Sequence, residues 1–160
     1  MTEIKEAVAP PPPPKVPCDH AWVETSAKSP ADAKRDNAAT AVKVQTTDPP
    51  SAKGYLFENH CIDTNMAKLK IEKASVVYEC SKCGQTQEVD IVGESQLAEC
   101  KNKKKADLEQ AARIRDIQSK VKGGGKPLAK VNAGHDKARS LEKTYGKNGF
   151  ETELVPGFAG

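Results

Sequence analysis

Apolar and polar residues alternate most regularly over residues 88–101. Val89 and Ile91 alternate with polar neighbours in the first part of this stretch, and Ala98 and Cys100 do so in the second. A period of two residues is typical of β-strands, and the Gly-Glu-Ser-Gln sequence between the two runs favours a turn. The pattern therefore predicts a β-hairpin whose apolar residues share one face.

Helical and strand-like patterns alternate along the chain from residue 54 onward. The predicted helices cover residues 55–69, 106–122 and 135–145, and the other predicted strands cover residues 74–80, 128–133 and 150–155. With the hairpin, these elements follow the order αβββαβ with an αβ extension, which predicts an α/β fold with a mixed β-sheet flanked by helices. In the first helix we expect four residues to face inward: Leu56, Cys61, Met66 and Leu69.

The residues before position 54 carry little of this pattern. Residues 1–17 contain five consecutive prolines, which favour an extended polyproline II spacer and predict a tether. Residues 26–53 are rich in small and polar residues, and they predict a loop with at most a weak strand near residues 41–46. We therefore expect three regions: a leader over 1–17, an N-terminal segment over 18–53 and a compact domain over 54–160.

The register of the predicted hairpin places two carboxylates opposite each other. If Val92 faces Leu97 across the loop, Asp90 faces Glu99. Like charges on facing residues destabilise a sheet, whereas a divalent cation between them would be stabilised. The same alternation puts Lys101 on the face of Glu99, so two carboxylates and an ammonium group converge.

The same residues also have a purely structural explanation. Strands with a polar outer face are common, and Glu88 facing Lys101 would form a surface ion pair worth less than about 1 kcal/mol. On that interpretation the facing carboxylates have no catalytic role.

Charge is distributed unevenly, although the whole chain carries a net charge of only +3. Residues 1–100 contain 11 basic and 15 acidic residues, whereas residues 101–147 contain 14 basic and 5 acidic ones. Such a basic block suits an anionic polymer such as nucleic acid, and it is also typical of a solvated, lysine-rich helix. The residues that we expect to contact nucleic acid are Lys103, Lys104, Lys105 and Arg113.

Two short motifs supply the ligand types of a tetrahedral zinc site. Cys80 and Cys83 form a CxxC knuckle, and Cys18 and His20 add one thiol and one imidazole. Because four protein ligands close the coordination shell, we expect a structural zinc ion that pins the N-terminal segment to the turn between the first two strands. Free thiols and an exposed His20 are the alternative.

The order of elements, with Asp90 on the second strand and Glu99, Cys100 and Lys101 on the third, resembles the PD-(D/E)XK, or restriction-endonuclease-like, nuclease superfamily. The resemblance covers residues 54–133. It implies that Asp90 and Glu99 hold Mg²⁺, with the backbone carbonyl of Cys100 as a further ligand. It also implies that Lys101 orients the attacking water and stabilises charge on the phosphate. Hard oxygen ligands of this kind suit Mg²⁺.

A second local resemblance adds another candidate. The sequence Gly54-Tyr55-Leu56-Phe57-Glu58 is similar to the G-x-x-F-E opening of the first helix in several families of this fold, which implies that Glu58 supports the metal site. A solvent-facing helical glutamate is the alternative. Val89 departs from the motif, since it stands where the motif's name has proline. Gln110 matches a glutamine sometimes found on the following helix.

A short nuclease domain behind a proline-rich leader is also similar to the toxin domains of bacterial effectors, such as those delivered by type VI secretion. This likeness implies a protein made in the producer's cytoplasm and delivered into a target bacterium without a signal peptide. It also implies a cognate immunity protein, and contact between the leader and a secretion-apparatus adaptor. An acidic inhibitor would match the basic block over 101–147.

Three functions remain open from the sequence. The first is a Mg²⁺-dependent DNase, and the second is an RNase toxin of the same fold. The third is a zinc-stabilised module that binds nucleic acid or protein without catalysis. Apolar runs in the chain are too short for a membrane span, and the N-terminus lacks the pattern of a signal peptide.

Overall fold

One mixed β-sheet forms the centre of the protein. The computed structural model describes residues 18–65, 70–103 and 105–158, so the predicted leader lies outside the described residues. Within these ranges the elements are β1 (Trp22–Lys28), α1 (Pro30–Val44), α2 (Pro49–Asn65), β2 (Ile71–Cys80), β3 (Thr86–Gly93), β4 (Leu97–Lys101), α3 (Leu108–Val121), β5 (Leu128–Asn132), α4 (Ala138–Lys147) and β6 (Glu151–Val155). The strands lie in chain order across the sheet, antiparallel from β1 to β4 and parallel from β4 to β6.

Helices cover both faces of this sheet. Ala33 of α1 and Phe57 of α2 belong to one buried apolar cluster, together with Ile91 and Ala98 of the hairpin. A second cluster on the opposite face joins α3 and α4 to residues such as Leu97. The result is a three-layer α/β arrangement, in which each parallel strand connection crosses over through a helix. None of the helices in the described ranges is both long enough and apolar enough to cross a membrane.

The prediction of an α/β fold with a mixed sheet is confirmed, and so is the order of elements from α2 onward. The prediction of a loop over residues 26–53, with a weak strand at 41–46, is wrong. This stretch contains the end of β1, all of α1 and the start of α2, so the boundary expected at residue 54 falls inside a helix. Ser29 caps α1 by accepting a hydrogen bond from the Asp32 N–H at 3.1 Å, and Pro30 follows at its first position.

The inward face of α2 differs in part from the prediction. Cys61 is buried as expected, but Leu56 is exposed and the neighbouring Phe57 is fully buried instead. The reason is that α1 packs beside α2, which shifts the buried face of the helix toward α1 and the sheet. Met66 and Leu69 lie outside the described residues.

The predicted hairpin is present, and its register is confirmed where Val92 pairs with Leu97. The prediction that the apolar residues of the hairpin share one face is wrong. Val89 packs in the cluster beside α3, whereas Ile91 packs in the cluster beside α2. The neighbouring strand explains the change of face: Ser75 of β2 has a φ of 47°, in the left-handed region, which kinks the sheet beside Asp90.

Candidate functional site

A cleft with a volume of about 950 Å³ opens where β4 and β5 end. One of its walls is the N-terminal part of α2, from Pro49 to Glu58, and another is the turn between β5 and α4, at residues 134–136. The floor is formed by β3 and β4, whose backbones pair from Ile91 and Ala98 toward the turn and diverge on the other side. Ligands of open α/β sheets commonly bind beyond the carboxyl ends of parallel strands, which is the position of this cleft.

Asp90 and Glu99 lie together on the floor, where the backbone pairing of β3 and β4 stops. The N–H of Asp90 donates a hydrogen bond of 2.8 Å to Oε2 of Glu99. The N–H of Cys100 in turn donates one of 2.9 Å to Oδ2 of Asp90. The two carboxylates therefore replace the missing backbone hydrogen bonds, and each is fixed in one orientation by the other strand.

Glu58 completes a group of three carboxyls. It reaches the cleft from α2, it is buried, and its Oε1 atom has no hydrogen-bond partner among the described residues. A buried polar atom without a protein partner is costly, and a bound water or cation can satisfy it. The alternative of a solvent-facing Glu58 is therefore wrong. Glu58 lines the same cleft as Asp90 and Glu99, as the resemblance implies.

Burial governs the protonation of this group. It raises the pKa of Glu58 to about 10, and the neighbouring charges of Asp90, Glu88 and Glu99 add to the effect. Burial and the charge of Asp90 likewise raise the pKa of Glu99 to about 8. In the metal-free protein, neutral pH therefore favours a proton on Glu58.

Lys101 is a buried cation beside the carboxyls. Its Nζ lies 3.5 Å from Oε1 of Glu99, donates a hydrogen bond of 2.5 Å to Oε1 of Gln110, and sits 5.8 Å from the ring centroid of Tyr145. Burial lowers the pKa of Lys101, but the charges of Glu99 and Asp90 outweigh that effect and hold the pKa above the ordinary value of lysine. The ammonium group is therefore charged, and Gln110 fixes its position. The purely structural explanation had Lys101 paired with Glu88 instead.

The donor set of this cleft fits a divalent cation with a preference for oxygen. Glu58, Asp90 and Glu99 supply carboxylate oxygens, and Cys100, whose backbone carbonyl was the further expected ligand, also lines the cleft. Mg²⁺ uses one or two carboxylates in most sites and keeps the remaining positions for water and phosphate. The partnerless oxygen of Glu58 supports a cation at this place.

The basic residues expected to contact nucleic acid are spread over different places. Lys103 lines the cleft, and Lys105 is exposed but does not line it. Arg113 is partly buried and donates a hydrogen bond of 2.7 Å to Gln87 of β3. Lys104 lies outside the described residues.

Sequence reasoning did not assign three other residues that line the cleft. These are Lys53 and Tyr55 at the start of α2, and His135 before α4. Tyr55 precedes Glu58 by three residues, so a helical period would have placed it on the same face. His135 follows the parallel strand β5, and its position after a strand end was the available signal for it.

A second group of side chains is assembled at the end of the β2–β3 hairpin. One ligand atom each from Cys18, His20, Cys80 and Cys83 lies within 4.8 Å of the others, so these four residues could hold a metal ion. The Cys18 and Cys80 sulfurs are 3.8 Å apart. Two sulfurs bound at about 2.3 Å to a tetrahedral zinc ion are also about 3.8 Å apart, so the spacing fits that metal.

Hydrogen bonds around Cys80 favour its thiolate, which is the form that binds metals. Burial raises the pKa of Cys80, but a hydrogen bond with His20 and backbone N–H groups, including those of Ala21 and Lys82, outweigh it and lower the pKa to about 5. The group joins the segment before β1 to the turn between β2 and β3, as the sequence predicts.

Comparison of this chain with known protein families, with curated proteins and with solved structures finds no match.

Proposed function

We propose that this protein is a Mg²⁺-dependent nuclease that hydrolyses DNA phosphodiester bonds, with a core of the restriction-endonuclease-like type. One observation carries the proposal. The carboxyls of Glu58, Asp90 and Glu99 converge with the ammonium group of Lys101 on the floor of one cleft. Buried like charges destabilise a protein unless a ligand compensates them, so the group is better explained by function than by stability.

The residues of the chain have separable roles in this reaction. Mg²⁺, held by Asp90 and Glu99 with support from Glu58, would supply charge neutralisation on the phosphate and a more acidic water. Lys101 donates to the phosphate oxygen on which negative charge develops, and its fixed position lowers the cost of reorganisation during the reaction. Gln110 holds the Lys101 ammonium group in place.

The surroundings of the cleft favour an anionic substrate. Lys53 and Lys103 line it together with Lys101, and the N-terminal part of α2 forms one wall. The N-terminus of a helix carries a partial positive charge, which attracts phosphate. The net charge of residues 101–147, with 14 basic and 5 acidic residues, adds a longer-range attraction for a polyanion.

Isosteric variants test this proposal best, because the carboxylates also connect the two strands. We expect Asp90→Asn, Glu99→Gln and Lys101→Met each to reduce Mg²⁺-dependent cleavage of DNA, assayed on single-stranded and on plasmid DNA, at least a hundredfold while the protein stays folded. Glu94→Gln, at an exposed position of the same hairpin, is the matched control. Full cleavage by all three variants would contradict the proposal, and cleavage of RNA but not DNA would favour the RNase alternative.

We further propose that Cys18, His20, Cys80 and Cys83 bind one structural zinc ion. The proposal is supported by the ligand spacing and by the hydrogen bonds donated to Cys80. Metal analysis of protein purified without chelator is expected to find about one zinc ion per chain. Cys83→Ser is expected to lose most of this zinc, whereas Cys61→Ser is expected to keep it.

The biological setting that we propose is that of an antibacterial effector toxin, inhibited in the producer by an acidic immunity protein. The support is the resemblance of the motif and the basic character of residues 101–147. Expression of the wild-type chain alone is expected to stop growth of a bacterial host, and Glu99→Gln is expected to relieve this effect. Unimpaired growth with abundant, active wild-type protein would contradict the toxin role.

A further inference from the structure

Of the four reacting groups of the proposed nuclease, three are buried at the floor of the cleft and Asp90 is half-buried. Glu99 is 2% exposed, Lys101 5% and Glu58 8%. The volume of the cleft, about 950 Å³, is in the range of sites that bind one ligand of drug size. Double-stranded DNA is stiff over about 150 base pairs, so bending a duplex to bring a phosphate to this floor costs free energy that a flexible strand does not require. A single strand can enter the cleft because its backbone is flexible.

The wall above the floor offers an aromatic surface to such a strand. Tyr55 lines the cleft one helical turn before Glu58, and 36% of its surface is exposed. Exposed aromatic rings beside basic side chains are the usual platform for unpaired bases, and Lys103 lines the same cleft. Stacking on a ring accepts any base, so this feature suits a substrate of mixed sequence.

Gly54 leaves room for the strand beside Tyr55. It lies one turn before Glu58 on the cleft wall, and a Cβ at this position would meet nothing within 4 Å. Glycine in a helix interior costs roughly 0.5–1 kcal/mol relative to alanine, and it needs a reason there. An open path past the helix to the carboxyls is such a reason.

We propose that the cleft takes single-stranded DNA, with one unpaired base stacked on Tyr55 and the adjoining phosphate directed to the floor at Asp90 and Glu99. This inference rests on the proposed nuclease function and adds the class of substrate. It assigns Tyr55 as a substrate-binding residue that takes no part in the chemistry.

Binding is measured separately from cleavage, so that the two proposals can fail independently. A fluorescently labelled 20-nucleotide strand and the same strand annealed to its complement are titrated with full-length protein in Ca²⁺, and anisotropy is recorded. We expect the strand to bind at least tenfold more tightly than the duplex. Tyr55→Ala is expected to weaken strand binding about tenfold, in line with the loss of one stacked base, whereas Tyr55→Phe keeps the affinity.

Two further variants separate a blocked cleft from a damaged fold. Gly54→Leu adds a side chain into open space and improves helix propensity, so it is expected to keep or raise the melting temperature while weakening strand binding at least tenfold. Leu56→Ala, at an exposed neighbouring position, is expected to leave strand binding unchanged.

Each outcome decides one of the two proposals. Equal affinity and equal Mg²⁺-dependent cleavage for strand and duplex would overturn the inference and leave the nuclease intact. Unchanged strand binding by Tyr55→Ala would overturn the role of Tyr55. Tight, Tyr55-dependent strand binding without Mg²⁺-dependent cleavage of any nucleic acid would support the substrate class and refute the nuclease.

Discussion

Asp90 and Glu99 are joined by a hydrogen bond from the backbone N–H of one to the side-chain carboxylate of the other, at 2.8 Å. The bond lies where β3 and β4 separate. At this point the Glu99 carboxylate accepts the hydrogen bond that a backbone carbonyl accepts elsewhere in the hairpin. The carboxylate that is a candidate metal ligand is therefore also part of the sheet. Truncation to alanine at Glu99 would remove both functions at once, which is why Glu99→Gln is the more informative variant.

Gln110 is expected to act through Lys101. Gln110→Leu removes the 2.5 Å hydrogen bond to Nζ and frees the ammonium group to move closer to Glu99. We expect kcat for DNA cleavage to fall at least tenfold, with KM changed less than threefold, because Gln110 positions a group that acts in the transition state. Gln110→Glu retains an acceptor oxygen and is expected to recover part of the rate. A fall confined to KM would contradict this role.

Stability of the metal-free protein is expected to depend on the ionisation of Glu58. Its pKa is raised in the folded protein, so the folded state keeps a proton that the unfolded chain has released. The contribution of Glu58 to the free energy of unfolding should therefore be fully present below about pH 4.5. It should be lost as the pH rises toward the folded pKa of about 10. Urea titrations without Mg²⁺ should show Glu58→Gln gaining stability over wild type between pH 5 and pH 8. A pH-independent difference between the two proteins would contradict this expectation.

Magnesium binding is expected to release protons. Because burial raises the pKa of Glu58 and of Glu99, Mg²⁺ competes with protons for these carboxyls. We expect the affinity for Mg²⁺ to rise between pH 6 and pH 8. Calorimetry in two buffers of different ionisation enthalpy measures the number of protons released, which should be smaller in Glu58→Gln. Equal binding at both pH values would count against these carboxyls as ligands.

Trp22 is expected to report the loss of zinc. It is the single tryptophan of the chain, its ring centroid lies 4.6 Å from that of His20, and its Nε1 donates a hydrogen bond of 2.8 Å to Asp116. A chelator should release the start of β1 from the sheet and shift the Trp22 emission to longer wavelength, and added zinc should reverse the shift. Cys83→Ser should show the shifted emission without chelator. An unchanged spectrum after confirmed zinc removal would show that β1 stays in place without the metal.

Gln118 is expected to be important for stability rather than for activity. This fully buried side chain accepts a hydrogen bond from Leu97 N–H at 2.8 Å and donates to the carbonyls of Ser95 and Gly124 at 3.0 and 2.9 Å. Gln118→Leu leaves three backbone groups without partners and should lower the free energy of unfolding by about 3 kcal/mol. Urea denaturation measures the loss, with Ser119→Leu at an exposed position of the same helix as control. A loss below about 1 kcal/mol would mean that water replaces these bonds.

The parts of the fold that the sequence predicted are those that local periodicity and turn length determine. The hairpin register followed from the four residues that separate Val92 from Leu97. The helix at α1 was missed because its buried face consists of small residues such as Ala33 and Ala41, which give almost no contrast with the polar face. The change of face between Val89 and Ile91 depends on a kink in the neighbouring strand, which no pattern within β3 records.

The candidate sites divide in the same way. Residues at fixed short spacing, such as Glu99 and Lys101 or Cys80 and Cys83, were found because their period places them together. Tyr55 and His135 reach the cleft only because α2 and the turn after β5 meet across the end of the sheet. Such meetings depend on the packing of layers, so the signals within the sequence were limited to the helical spacing of Tyr55 from Glu58 and the position of His135 after a strand.

The strictly sequential order of strands in the sheet has a consequence for how the chain acquires its structure. During synthesis, every strand after the first emerges when the partner on its N-terminal side has already been made. The sheet can therefore grow from one edge without waiting for a distant segment, and the long search that slows folding with non-local pairing is shortened. The carboxyls of the cleft all lie on elements that precede α3 and α4 in the chain, so these residues can come together before the two helices are made.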